Sequence, residues 1–195
     1  MPKVEITENL GLVQRSGNGD VAFGLETATH GAGAIGTEIA PSTRVSQIND
    51  EVVTTIKLDL TGLKKVSDVG DVIGLDGING AYLLQYNSST HGILYKATLS
   101  VLELPTGTNV LRDFDLIAHA SATKKYNDDV ASGGTVLLAS GGALAAGQTV
   151  KSLQIGSTGA TSGHYIYLAE GDTSSDAQLF TAGKLLIKLY GHKLF

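Results

Sequence analysis

The side chains in this sequence that could do chemistry are five histidines, scattered carboxylates, many hydroxyls and one glycine-rich loop. His30, His91, His119, His164 and His192 share no H-x-H or H-x-x-x-H spacing. Such close pairs are what let one strand or helical turn deliver two ligands to one ion. His119 and His164 lie inside apolar alternating runs, which suits hydrogen-bonded histidines of the core or surface. Asp68, Asp71 and Asp76, with Gly70, Gly74 and Gly77, have the composition of a calcium loop. They lack its order and its closing glutamate. Asn127, Asp128 and Asp129 form a similar acidic turn, as do Glu170, Asp172 and Asp176. All three groups are read as solvated turns, and no metal ligand is assigned.

Residues 30–36 (HGAGAIG) contain a literal G-x-G-x-x-G at Gly31, Gly33 and Gly36. In a dinucleotide site the pyrophosphate sits on the N-terminus of a following helix. Pro41, five residues on, opposes a helix interior there, so the segment reads as a loop and no cofactor is expected. Residues 156–159 (GSTG) lack the spacing of a nucleophile elbow. With no cysteine, thiolate catalysis, disulfides and cysteine-ligated metals are excluded. With no tryptophan and 6% aromatic residues, a cleft that stacks sugar rings around paired carboxylates is disfavoured. No catalytic residue is assigned, and the expectation is a protein that is not an enzyme.

The elements that would position any site are strands. In residues 51–60 (EVVTTIKLDL), Val52, Thr54, Ile56, Leu58 and Leu60 alternate with more polar neighbours, the period of a half-buried strand. Residues 92–104 make the longest run, with Ile93, Tyr95, Ala97, Leu99 and Val101 expected on one face and a stop at Pro105-Thr106-Gly107. Shorter runs fall at 81–86, 114–120, 134–140, 148–155, 164–170 and 183–190, with a brief strand near 71–74. Gly, Ser, Asn and Asp turns separate them, and residues 87–90 (NSST) read as one. No window carries a capped helical period. The expected fold is all-β: an antiparallel β-sandwich, jelly-roll-like, over residues 51–195, with residues 1–50 an extended N-terminal arm or loosely attached strands.

Composition fits this. Of 195 residues, 42% are hydrophobic and only 17% charged, below the usual quarter or so. A surface this short of charge relies on small polar residues or on a partner. The net charge is −5, and the basic pairs Lys64-Lys65 and Lys124-Lys125 stand apart. Binding nucleic acid needs clustered cations, so none is expected. No stretch approaches the length of an apolar membrane span, and the first residues lack a signal-peptide pattern. Tyrosines in strands combine apolar area with a polar tip, which suits interfaces. Leu185, Leu186, Ile187 and Leu189 put apolar groups on both faces of one strand, as do Val136, Leu137 and Leu138. Tyr165, Tyr167, Leu186, Tyr190 and Phe195 are the candidate interface residues.

Several phrases resemble virion structural proteins of marine tailed bacteriophages, the capsid decoration or cement proteins. They are EVVTTIKLDLTGL (51–63), DVIGL (71–75), GILYKATLSVLELPTG (92–107), AGQTV (146–150) and YIYLAEGDTSSDAQLFTAGKLLIKLYGHK (165–193). The likeness covers residues 50–195 and is one of phrasing and order, with no catalytic signature. It implies a β-sandwich head made in the bacterial host cytoplasm and assembled as an oligomer, expected as a homotrimer. Its partner would be the major capsid protein on the capsid exterior. The other reading is a host-facing fibre, tail or carbohydrate-binding module, which a cluster of Tyr and Asp or Asn at one end of the sandwich would favour.

Overall fold

A computed structural model describes residues 3–7, 11–16, 19–24, 30–36, 40–65, 68–107, 112–152, 159–172 and 178–193. The strands are β1 (Lys3–Thr7), β2 (Gly11–Ser16), β3 (Gly19–Gly24), β4 (Ser42–Ile48), β5 (Glu51–Asp59), β6 (Lys64–Lys65) and β7 (Tyr82–Gln85). A helical turn α1 (Ser88–His91) precedes β8 (Ile93–Thr106), β9 (Phe114–His119), β10 (Thr135–Ala139), β11 (Thr149–Lys151), β12 (Tyr165–Glu170), β13 (Gln178–Leu179) and β14 (Ala182–His192). One sheet has eight strands in the order β1-β2-β3-β4-β5-β14-β8-β11. A second has four, β10-β9-β12-β7, and β13 with β6 forms a two-stranded ribbon. The pairings are antiparallel. The chain is an all-β sandwich whose larger sheet opens as a five-strand meander. Residues 1–50 hold β1 to β4, and β4 pairs with β5 along seven registered positions.

The sandwich follows from alternation. Val52, Thr54, Ile56 and Leu58 of β5 all point inward and are buried. So are Leu185, Ile187 and Leu189 of β14, which stand opposite Leu58, Ile56 and Thr54. They meet Leu116 and Ala118 of β9 and Ile166 and Leu168 of β12 in one core. Burying each leucine or isoleucine is worth about 1.5–3 kcal/mol, so this seam dominates the fold. The smaller sheet is covered on its other face too. There Ile117, Tyr167 and Ala169 pack with Val72, Ala81 and Val130 from the segments around it.

β8 departs from simple alternation. Gly191 opposes Leu94 while Tyr190 opposes Lys96, so Tyr95 is one residue too many. This bulge shifts the phase: Leu94 is buried with Ala97, Leu99 and Val101, and Ile93, expected inside, is 54% exposed. A second shift between Lys184 and Leu185 leaves Leu102 out of the ladder. The strand ends at Thr106, within the Pro105-Thr106-Gly107 stop expected from sequence. Pro105 itself falls in a third shift, opposite Gly183, where the ladder skips from Glu103 to Thr106 and no proline N–H is needed. Gly183 has φ +138°, and a Cβ there would come within 2.8 Å of the Pro105 Cα. In β10 a bulge at Leu137 turns both Leu137 and Leu138 inward and leaves Val136 exposed, which explains its two-sided apolar sequence.

The NSST turn is α1. Asn87 caps it, its side-chain oxygen accepting from the Ser89 N–H at 2.9 Å. The cap places His91 in the interior, where its Nδ1 lies 2.8 Å from the Thr54 hydroxyl of β5. Burial, helped by the charge of Lys193, pulls the His91 pKa down to about 4. The unfolded chain therefore binds a proton near pH 6.5 that the folded one refuses. Stability from this group is present above pH 6.5 and is lost as pH falls from 6.5 to 4. Replacing it by a non-titrating partner, His91→Asn, is expected to flatten that window. Between those pH values the wild type should lose up to about 1.4 kcal/mol per unit more than the variant, measured by urea denaturation.

Candidate functional site

With both faces of the smaller sheet covered, the outward face of the larger sheet is the broad surface that the described residues leave open. Its central strip comes from β14: Lys184, Leu186, Lys188 and Tyr190 alternate with the buried leucines and isoleucine. Leu186 is flanked by Lys57 of β5 and Ser100 of β8. Lys188 stands between Thr55 and Thr98. Arg44 of β4 lies opposite Thr55, and Lys151 of edge strand β11 lies opposite Thr98. The β8 bulges add Tyr95 and Leu102, and Lys96 opposes Tyr190. Ile48 at 60%, Ile93 at 54% and Leu102 at 54% are the most exposed large apolar side chains of the described residues, and all three border this face.

Charge on the face is uneven. Among its described strand side chains, Arg44, Lys57, Lys96, Lys151, Lys184 and Lys188 are six cations against the carboxylates Glu51, Asp59 and Glu103. Lys184 pairs with Glu103 and lies 4.0 Å from Asp59. Burial pushes the Asp59 carboxyl up. Two hydrogen bonds from Thr61, at 3.0 and 2.7 Å, together with Lys184 outweigh this and hold it below the usual carboxylate range. A shallow groove of about 180 Å³ runs past Ala40, Ser42, Lys57, Leu102 and Lys184.

At one end of the face the rings gather. Tyr95 stacks on His192 with centroids 4.4 Å apart and planes 10° from parallel. Tyr190 lies 6.3 Å from Tyr95, and the Lys96 ammonium sits 4.5 Å from its ring centre. The Tyr95 hydroxyl donates to Glu51 at 3.3 Å, and Asp50 approaches His192 at 3.8 Å. An open groove of about 400 Å³ adjoins them, lined by Ser88, Ser89, Ile93, His192 and Lys193.

The structure separates the expected interface residues. Leu186 and Tyr190 share the open face. Tyr165 is half-buried on the far side of the smaller sheet, 4.8 Å from the Tyr82 ring. Tyr167 is a correction: it is wholly buried, its hydroxyl donating to the Ser121 carbonyl at 2.7 Å, so it is a core residue with no surface to offer. Phe195 lies outside the described residues. Sequence reasoning missed Ile48, Ile93, Leu102 and the partnership of Tyr95 with His192. Strict alternation hid three of these four, because the bulges that expose them carry no signal in residue type.

Gly31 and Gly33 belong to a buried clip in which Gly33 N–H donates to the Gly80 carbonyl at 2.9 Å. A Cβ on Gly31 would meet that carbonyl oxygen at 1.8 Å, so these glycines serve close backbone packing. Asp68, Asp71, Asp128 and Asp129 converge; burial, then these neighbours, push the Asp71 carboxyl up to about 6. Among the described residues no three His, Cys, Asp or Glu side chains are placed to hold a metal ion. No described helix is long and apolar enough to cross a membrane. No protein-family model matches the chain, and no curated protein or solved structure matches it.

One buried ionisable pair stands out. Lys65 Nζ lies 3.8 Å from Glu170 Oε2, both side chains have no exposure, and neither makes a hydrogen bond. Burial raises the Glu170 carboxyl well above its usual range; Lys65 opposes this, while Asp113, Asp172 and Asp115 reinforce it. The pair ties the ribbon of β6 and β13 to β12. A raised carboxyl contributes stability at low pH that is lost as pH climbs through its folded pKa. Lys65→Met, which strands the carboxylate, is expected to cost about 3 kcal/mol at pH 9 and much less at pH 5, measured by urea denaturation.

Proposed function

We propose that this chain is a non-enzymatic virion structural protein. It decorates and stabilises a tailed-phage capsid by binding the major capsid protein lattice from outside, as an oligomer, expected as a trimer. The observation that carries this reading is the open face of the larger sheet. It is broad, framed by β5, β14 and β8, and edged by exposed Ile48, Ile93 and Leu102. Exposed apolar area on a rigid frame suits a contact surface. The resemblance of residues 50–195 to decoration proteins supplies the kind of partner.

The mechanism is mass action. A protein that binds only the assembled shell lowers the free energy of that state. Many copies on a symmetric lattice act together, so each contact can be weak. The chain is expected in purified particles in fixed ratio to the major capsid protein. Particles made without it should release their genome at lower temperature, and adding it back should restore them. Its absence from particles, or equal stability without it, would end this reading.

The ring cluster at the end of the face favours a second reading. Tyr95, Tyr190 and His192, beside Glu51, Asp50 and the hydroxyls of Ser88 and Ser89, offer apolar rings flanked by polar groups. That mixture suits a sugar, as in a host-facing fibre, tail or carbohydrate-binding module. On this reading the protein binds a surface glycan on an array, and Tyr95→Ala weakens binding about tenfold, the loss of one stacking contact. An array without any bound glycan would remove it.

A further inference from the structure

We propose that the open face of the larger sheet is a docking surface for an acidic protein surface. This rests on the decoration reading above and specifies the chemistry of its partner. The first ground is charge. Among the described side chains, six cations outnumber three carboxylates on the strands of this face, although the chain carries −5 overall. Nearly half of its 14 lysines and arginines therefore stand on one face. A partner complementary to that excess is negative.

The second ground is what lies between the cations. Leu186 is central, with Lys57 beside it on the neighbouring strand, and Leu102 borders the groove that Lys57 and Lys184 line. Ile48 and Ile93 are more than half exposed at the margins. A phosphate or sulfate chain would meet the cations and leave these aliphatic groups in water. A folded acidic surface with apolar patches withdraws both kinds from solvent together. A second copy of the same face is excluded as the occupant on the same ground, since an isologous contact sets an excess of positive charge against itself.

Two measurements on the full chain test this. In one, the protein binds purified shells stripped of it, at 50 and 300 mM NaCl. Binding is expected to weaken about tenfold between those salts, and Lys188→Glu or Lys57→Glu to weaken it at least as much at low salt. Lys125→Glu, on the smaller sheet's side, serves as the control, and unchanged thermal melts show that the variants fold. In the other, amide NMR shifts are followed with a Glu/Leu-rich peptide, its Lys/Leu counterpart and a short DNA duplex as probes. The Glu/Leu peptide is expected to move Leu186, Lys188 and Ser100, and Lys188→Glu to abolish this. Peptide shifts on the face without shell binding would retain the face and end the decoration reading. Shell binding that ignores both charge reversals would overturn the face and spare that reading. Tighter binding of DNA than of the acidic peptide, or equal binding of both peptides, would also overturn it.

Discussion

The constraint on which the rest depends is the two-residue period of β5 and β14, locked by pairing of Leu58, Ile56 and Thr54 with Leu185, Ile187 and Leu189. Every inward position of that pair is buried, and Ile56, Leu58, Leu185, Ile187 and Leu189 share one core with β9 and β12. A slip of one residue would turn the whole row outward, so the register is strongly specified. Once the inward row is committed, the outward row is fixed as well. Lys57, Leu186, Lys188 and Tyr190 are neighbours because their alternates are core.

The two layers differ in how they are finished. The four-stranded sheet has a second small core on its outer side, built around Tyr167 and Val72. The eight-stranded sheet has no such cover among the described elements. Its bulges instead enrich the outer face, since an extra residue in β8 adds Tyr95 beside Lys96 and another adds Leu102. Bulges cost ladder hydrogen bonds and persist where a side chain is re-aimed. The polar interior does different work. Lys65 with Glu170, and His91 with Thr54, fasten the ribbon and the helical turn to the sandwich.

Much of this was legible in the residues, where packing and local pattern agree. The all-β class, β5, β7, β9, β12 and β14 follow from alternation and turn chemistry, although Leu185, Leu186, Ile187 and Leu189 left the inward side of β14 open. The phase of β8 was not legible, because Ile93 and Tyr95 fit the same apolar row as Ala97 until the partner strand introduces the bulge. Tyr167 reads as surface from its type, yet Ile117, Ala169 and the segments bearing Val72 and Val130 cover it. β2 to β4 were legible only as an arm or loosely attached strands, because their sequence is short of periodic apolar residues; long-range pairing makes them strands. His91 follows the turn expected at residues 87–90, and only the cap at Asn87 carries it inward. The open face itself required three-dimensional pairing, since its six cations come from five strands spread between residues 44 and 188.

The central claim is that the protein works through the outward face of its larger sheet. Carbene footprinting of the protein in its native assembly, against the free chain, measures this most directly. Strong protection of Leu186, Lys188 and Leu102, with Tyr165 and Val136 of the smaller sheet unchanged, is the expected result. Equal labelling of Leu186, Lys188 and Leu102 in both states, with protection confined to the smaller sheet, would contradict the account.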